Sequence, residues 1–238
     1  MKAVKKDKRW WRLTKRIFLW LFALQFIYII LLRWVNPPIT ITQLWSVING
    51  NGLKRDYVDF QSMSPNIKLA VMAGEDQLFP DHNGFDVKAI KLAVKYNKKH
   101  PGKVRGASTI SQQVAKNVFL WQGGGFFRKG LEVYFTFMIE TLWSKERILE
   151  MYLNIAEMGP GIFGIEAAAQ QYYNKTSLNL TKAEAAQIAA ALPNPLRYTI
   201  KPLCSYVANR SQHILTQMNN LAGDGDVKEL LGTNAGEK

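Results

Sequence analysis

An apolar run near the start of the chain constrains its fold more than any other feature. Residues 17–32 contain no charge and one polar side chain, Gln25. These 16 residues are slightly fewer than the ~20 that cross a bilayer, but flanking tryptophans extend the span as interfacial anchors. The flanking tryptophans are Trp10, Trp11 and Trp34. We therefore predict one transmembrane helix over residues 17–35.

The charges before this run predict its orientation. Residues 1–16 carry eight cations against Asp7 alone, a net +7 of the formal +13 for all 238 residues. A buried core helix is the alternative, but such a helix rarely follows a crowded cationic segment. The sequence RWVNPP after the run offers no small-residue cleavage site, which disfavours a signal peptide. The positive-inside rule then makes 1–16 a basic cytoplasmic segment of a single-pass protein in the cytoplasmic membrane.

The rest of the chain is therefore expected in the periplasm or its extracytoplasmic equivalent. Its remaining charge of +6 suits an anionic ligand or lipid headgroups and is too diffuse to require nucleic acid. The only cysteine is Cys204, so no disulfide can form within the chain.

The pattern after Asn36-Pro37-Pro38 is mainly helical. We predict a linker leading into the domain over 36–63, one α-helical domain over 64–222 and a flexible tail over 223–238. Caps and breakers delimit the predicted helices. Thr109 and Gln112 fit a capping box, and the basic stretch KKHPGKVRG ends the second helix. These helices cover 64–75, 86–96, 109–120, 126–143, 145–156, 181–192 and 203–221.

The first candidate site is the carboxylate pair Glu75-Asp76 at the end of a predicted helix. Adjacent buried carboxylates repel, which raises the pKa of one of them and can create a general base. A solvated acidic helix end is the alternative, although acidic residues are unfavourable at a helix C-terminus.

The second candidate site is the polar face of the helix that begins near residue 109. Ser108, Gln112 and Lys116 repeat every four residues, with Gln113 and Asn117 beside them. Hydroxyl, amide and ammonium groups suit sugar or phosphate oxygens. Spacing alone leaves a purely structural amide-rich face equally open.

The third candidate site lies at the start of the helix over 126–143. Arg128 and Glu132 form an i,i+4 pair next to Lys129, which ordinarily indicates a surface salt bridge. Apolar residues surround the pair on nearly every face, so we expect Glu132 to be sheltered. The next helix, KERILEMYLN over 145–154, is interpreted as a structural amphipathic helix.

Two carboxylates 57 residues apart, Glu75 and Glu132, suggest glycosyl chemistry. A hydrolase must protonate a poor sugar leaving group. A sugar diphosphate instead leaves readily once cations neutralise its charge, and Lys116, Arg128 and Lys129 can supply that charge. The pattern therefore favours transfer over hydrolysis.

The chain resembles the peptidoglycan glycosyltransferase family, which occurs alone or fused to penicillin-binding transpeptidases. The matching stretches, in order, are EDQLFPDHNGFD, GASTISQQVAKN, RKGLE, KERILEMYLN and GIFGIEAAAQQYY, about half of residues 70–173. The chain length suggests the monofunctional form. Three features depart from the family pattern: Gly74 lacks a side chain, Tyr173 replaces Phe, and the loop 123–125 is all glycine.

The resemblance implies a lysozyme-like helical fold and polymerisation of lipid II into glycan strands, with inversion at C1 and release of polyprenyl diphosphate. It implies that Glu75 is the catalytic base and that Glu132 lies near the diphosphate, where it would hold basic residues or a divalent cation such as magnesium or manganese. No tightly bound cofactor is expected. The implied substrate-binding set is Asp76, Ser108, Gln112, Gln113, Lys116, Asn117, Arg128 and Lys129.

The expected partners are lipid II, the growing polyprenyl-linked glycan, the bilayer and proteins of cell division or cell-wall synthesis. Two other functions are compatible with the sequence. A membrane-anchored lysozyme or lytic transglycosylase would cleave glycan with the same Glu75, and a scaffold protein would only hold glycan in its groove.

Overall fold

The computed structural model describes residues 3–102 and 105–232, in two units that divide after Pro37. The first unit holds one continuous helix, α1 (Ala3–Leu31). Residues 9–31 of this helix, 23 in number, are long and apolar enough to cross a membrane, about 35 Å at the α-helical rise. The helix begins before the predicted transmembrane segment of 17–35, among the cationic residues, and ends at Leu31, four residues before the predicted end.

The second unit is a mainly helical domain. Its helices are α2 (Ile41–Ile48), α3 (Pro65–Glu75), α4 (Val87–Lys99), α5 (Ile110–Phe119), α6 (Phe126–Leu142), α7 (Lys145–Ile155), α8 (Ile165–Tyr173), α9 (Lys182–Ala191), α10 (Ser205–Leu221) and α11 (Gly225–Leu231). Seven of them confirm the predicted helices to within about three residues at each end. Part of the basic stretch KKHPGKVRG, residues 103–104, lies outside the described residues.

The predicted linker contains regular structure that the sequence analysis missed. Thr40 caps α2 through a complete capping box with Gln43. The linker also contains one short strand, β1 (Lys54–Arg55). It forms a sheet with two later strands, β2 (Glu157–Gly159) and β3 (Ile162–Phe163), in the order β1-β3-β2. β1 pairs parallel to β3, and β2 pairs antiparallel to it. The segment after β1 is held by Asn154 of α7, whose side-chain amide accepts from the N–H of Val58 at 3.0 Å and donates to its C=O at 2.9 Å.

Helix α3 is the centre of the domain. Seven consecutive residues, Ile67 to Ala73, are buried, so the helix is covered on every side. It packs against α9 and α10, while α5 packs against α6 and α7. Five buried alanines of α9 let these helices approach closely. The C-terminal end of α3 lies in a cleft that residues of α5 and α10 also line.

The prediction of a flexible tail from residue 223 was wrong over 225–231. Asp224 caps α11 by accepting from the amides of Asp226 and Val227. Val227 and Leu230 are buried, and the helix packs on α3. Two apolar residues three apart are too weak a pattern to predict a helix, but they suffice when a covering surface is at hand. Residues 233–238 of the predicted tail lie outside the described residues.

We predict that two glycines with nearly the same positive φ differ in their tolerance of a side chain. Gly164 and Gly52 have φ of +84° and +85°, a positive range that costs a non-glycine residue about 1–3 kcal/mol. A Cβ on Gly164 would lie 2.5 Å from the carbonyl oxygen of Asn154, whereas a Cβ on Gly52 meets open space. Gly164→Ala should therefore lower the free energy of unfolding by at least about 3 kcal/mol, and Gly52→Ala by about 1 kcal/mol. Urea unfolding in detergent micelles measures both, and equal losses would contradict the argument.

Candidate functional site

The end of α3 forms one wall of an open cleft of about 910 Å³. Glu75, its last helical residue, lies in this wall. The opposite walls come from the segment 105–109, from α5 and from α10. The cleft is lined by Ala73, Gly74, Glu75, Asp76, Gln77, Leu78, Asp86, Ala89, Leu92, Arg105, Gly106, Ala107, Ser108, Thr109, Gln113, Lys116, Leu192, Pro193, Tyr206 and Arg210.

The Glu75 carboxylate is nearly buried, with 12% of its side chain exposed. Gln113 donates from Nε2 to Glu75 Oε2 at 2.9 Å, and Nη2 of Arg210 lies 3.8 Å from Oε1. Burial raises the pKa of Glu75 above its ordinary value, the repulsion of Asp76 adds to the rise, and Gln113, Arg210 and Lys116 oppose it. The predicted direction of the shift is confirmed, but its main cause is loss of solvent rather than the neighbouring carboxylate.

Asp76 has hydrogen-bonding partners on two other segments of the domain. Its Oδ1 and Oδ2 lie 2.9 and 3.1 Å from His82 Nε2, and Oδ2 also accepts from the amide of Ile110 at 3.0 Å. His82 Nδ1 in turn accepts from the Gly84 amide, which leaves the ring proton on Nε2 to bond Asp76. Asp76 therefore joins α3, the loop after it and the first turn of α5. Asp76 also lines the cleft, so its contact with substrate stays a prediction beside this positioning role.

The loop that carries His82 requires glycine at one point. Gly84 has φ of +83°, and a Cβ there would lie 2.7 Å from Thr136 Cγ2. The Gly84 carbonyl accepts from Thr109 Oγ1 at 2.7 Å, which ties the loop to the start of α5. The segment PDHNG thus positions both Asp76 and α5.

The polar face predicted on α5 divides into two sets. Gln113 and Lys116 line the cleft, together with the exposed Ser108 that precedes the helix. Gln112 is instead buried, and its Oε1 accepts from the Thr109 amide as the second half of a capping box. A contact of Gln112 with substrate is therefore not supported, because its position serves the helix terminus.

Asn117 does not line the cleft either, because its side chain has partners within the protein. It is buried, and its Oδ1 accepts from Thr42 of α2 and from Gln122, each at 3.4 Å. The side chain therefore joins α2 to the end of α5. Helix α2 was absent from the sequence prediction, so this partner could not be foreseen.

Lys116 lies between the two candidate carboxylates. Within the described residues, 3–102 and 105–232, its ammonium makes no hydrogen bond or close ion pair. It nevertheless interacts electrostatically with both Glu132 and Glu75. Burial lowers the pKa of Lys116; Glu132 and Glu75 raise it, and Arg128 and Lys129 lower it. A half-buried, unpaired cation of this kind is suited to an anionic ligand.

The predicted shelter of Glu132 is confirmed, because the residue is 3% exposed. Arg128 bonds its Oε2 at 2.8 Å, and Lys129 bonds its Oε1. Arg128 Nε is buried and makes no hydrogen bond within the described chain. The cluster of Arg128, Lys129 and Lys116 therefore carries more positive charge than Glu132 cancels.

The same contacts argue against Glu132 as a ligand of a protein-held metal ion. Both of its oxygens already pair with cations. Within the described residues, no group of three or more His, Cys, Asp or Glu side chains could hold a metal ion. A divalent cation at this place would need most of its oxygen ligands from a bound diphosphate.

Two residues at the site were missed by sequence reasoning. Arg210 reaches Glu75 from α10, 135 residues away, and also donates to the Gly74 carbonyl at 3.0 Å. Tyr152, expected only in the core, is buried and donates from its hydroxyl to Gln113 Oε1 at 3.4 Å. Neither has a local sequence signal, because each meets its partner only through helix packing.

The absence of a side chain at Gly74 has a structural reason. A Cβ there would lie 3.1 Å from Ile214 Cδ1, so glycine lets α10 pack close to α3. This close packing brings Arg210, one turn before Ile214, next to Glu75.

Comparison with known proteins identifies the family of the chain. The family described as transglycosylase matches residues 42–219. A biosynthetic peptidoglycan transglycosylase of Pseudomonas putida (strain GB-1) is 45% identical over 225 residues, covering 92% of this chain and 95% of that protein. Proteins of the same name from Pseudomonas aeruginosa and Aeromonas hydrophila are 46% and 50% identical, over 89% and 80% of this chain and 95% and 83% of their own lengths. The chain therefore belongs to the transglycosylase family and has its lysozyme-like helical fold.

Proposed function

We propose that this enzyme polymerises lipid II into linear glycan strands for cell-wall synthesis, with inversion at C1 and release of polyprenyl diphosphate. Its relatives are named for the biosynthesis of peptidoglycan. The observation that carries the proposal is the sheltered Glu75 carboxylate in an open cleft, with the cationic Lys116 in the same cleft. A base and a cationic cluster are the two groups that transfer from a sugar diphosphate requires.

Glu75 acts as the base for the acceptor. It takes the proton of the 4-hydroxyl of the acceptor lipid II while that oxygen attacks C1 of the growing chain's terminal sugar. The new glycosidic bond forms on the face of C1 opposite the bond to diphosphate. That bond breaks, and the polyprenyl diphosphate leaves with the electron pair. The raised pKa of Glu75 suits this role, because a more basic carboxylate accepts a proton more readily.

The cations around Glu132 stabilise the leaving diphosphate. Lys116 and Arg128 bind its oxygens, while Lys129 adds charge from a more exposed position. Glu132 acts through these cations, because its two oxygens hold Arg128 and Lys129 in place. Ser108 and Gln113 contact the sugars, and a divalent cation, where one takes part, is bound mainly by the diphosphate.

The membrane helix fixes the enzyme beside its substrates. We place residues 1–16 in the cytoplasm and the catalytic domain on the outer, periplasmic side of the cytoplasmic membrane. Since both substrates are lipid-tethered, an anchor in the same bilayer raises their effective concentration. Phe126, Phe127 and Phe137 of α6 are 98%, 76% and 61% exposed, and we propose that they contact the lipid.

Replacing the base should abolish turnover without harming the fold. Glu75→Gln keeps the shape of the side chain but cannot accept the proton, so we expect polymerisation of lipid II to fall by about a hundredfold or more. Because its folded pKa is raised, ionised Glu75 destabilises the fold at neutral pH, and the variant should unfold at an equal or higher temperature. Undiminished polymerisation by this variant would remove Glu75 from the mechanism.

The same assay separates the proposal from its rivals. Long glycan with released diphospholipid is the expected product of the native chain. Shortened fragments of isolated sacculi, with lipid II left intact, would instead identify a glycan-cleaving enzyme. Tight glycan binding without either product would identify a scaffold.

The pH dependence of the rate should report the environment of Glu75. A base works only when deprotonated, so activity should be lost as the pH falls through the raised pKa of Glu75. Gln113→Ala removes a hydrogen bond to the charged form and should move this acidic limb to still higher pH. Gln171→Ala, an exposed glutamine that bonds Lys54, serves as the control and should leave the limb unchanged. A limb that stays in place for Gln113→Ala would contradict the assignment.

Lys116 should matter more to the donor than to the acceptor. Its unpaired ammonium is expected to bind the donor diphosphate, so Lys116→Ala should raise the concentration of donor needed for half-maximal rate by about tenfold or more. A short polyprenyl-linked glycan as donor and lipid II as acceptor, varied separately, measure the two effects. Equal losses on both sides would count against this role of Lys116.

A further inference from the structure

The outer surface of α4 has a composition that neither the fold nor the cleft explains. Of its 13 residues only Ala93 is buried, so the helix contributes little to the core. Three apolar residues on one stripe, Val87, Ile90 and Val94, are 55%, 36% and 50% exposed. A surface helix normally turns such a stripe inward, and one without a covering surface is marginal in water.

A band of cations runs beside this stripe. Five exposed lysines occupy an arc of about 100° around the helix axis, adjacent to the apolar stripe. They are Lys88, Lys91, Lys95, Lys98 and Lys99. The helix contains no acidic residue, and no carboxylate within the described residues forms a salt bridge with any of the five lysines.

Solvation alone accounts for only part of this pattern. Lys98 and Lys99 in the last turn complement the helix dipole, as many exposed helices do. The dipole does not explain lysines in the first two turns, nor half-exposed valines next to them. An apolar stripe bordered by lysines is instead the pattern of a helix that lies in the surface of an anionic bilayer.

The position of α4 makes such a surface useful. Ala89 and Leu92, on another side of the helix, line the cleft that contains Glu75. The last turn is fixed to the domain, because Asn97 bonds the backbone N–H and C=O of Arg105 at 2.8 and 3.1 Å. The helix therefore forms one wall of the cleft and at the same time presents lysines and valines to the outside.

We propose that α4 docks on anionic phospholipid headgroups, with its lysines on the phosphates and its Val87, Ile90 and Val94 stripe at the acyl boundary. The helix then brings the cleft wall against the bilayer in which the lipid-tethered substrates lie. This inference rests on the proposed membrane location but not on the proposed reaction. It adds selection by headgroup charge, which an apolar contact alone would not give.

A single fluorophore on the stripe tests the proposal in the full-length chain. Cys204→Ser removes the only native cysteine, and Val94→Cys then takes an environment-sensitive dye. The protein is reconstituted into vesicles of phosphatidylcholine alone or of phosphatidylcholine mixed with phosphatidylglycerol. We expect a blue-shifted emission, quenched by spin-labelled acyl chains, in the mixed vesicles and at least about tenfold less quenching in the neutral ones.

A variant of α4 that lacks three lysines is compared with a control that lacks three lysines elsewhere. Lys88→Gln, Lys91→Gln and Lys95→Gln together should abolish the quenching in mixed vesicles, and high salt should weaken it. The matched control removes three exposed lysines elsewhere: Lys54→Gln, Lys182→Gln and Lys201→Gln, which should leave it intact. A dye that stays in water in both vesicle types would overturn the proposal, and so would equal quenching in both.

The reaction is measured separately in the same vesicles. Lipid II polymerisation that fails while the dye still responds to phosphatidylglycerol would count against the proposed function and support the docking. Polymerisation with no response of the dye would leave the function standing and overturn the docking.

Discussion

The Glu75 carboxylate sits at the C-terminal end of α3, where both loss of solvent and the helix dipole disfavour its negative charge. Two helices supply the groups that offset this cost. Helix α5 brings the Gln113 amide and the Lys116 ammonium, and α10 brings Arg210. The packing of α3 with α10 and the placement of α5 therefore decide whether Glu75 is a base of useful strength or a destabilising buried charge.

The two halves of the site meet this problem differently. Glu75 has one hydrogen bond and a looser ion pair, so its charge is only partly compensated and its pKa rises. Glu132 has a cation on each oxygen and serves to hold those cations. A carboxylate that is saturated by partners cannot be a base, and one that lacks them cannot anchor a cluster. In the proposed mechanism Lys116, unpaired between the two, would link proton removal to diphosphate binding.

Much of this arrangement could be predicted from the sequence, because it depends on local signals. Capping boxes and the 3.6-residue period identified most helices, and the apolar surroundings of Glu132 predicted its burial. Contacts between distant segments could not be predicted in this way. Arg210 reaches Glu75 only because Gly74 lets Ile214 approach, and Asn117 meets Thr42 on a helix that was expected to be linker. Gln112 shows a different limit, since one side chain fitted both a polar face and a helix cap.

The pair Glu75-Asp76 shows why residue type alone could not assign these roles. In sequence the two carboxylates are adjacent and equivalent, and repulsion between them predicts a base without saying which of the two it is. In the structure Asp76 is bound by His82 and by the Ile110 amide, and these contacts fix α5 relative to α3. That fixed α5 then presents Gln113 to Glu75. One member of the pair thus builds the environment in which the other titrates, and repulsion between the two adds less to the Glu75 shift than burial does.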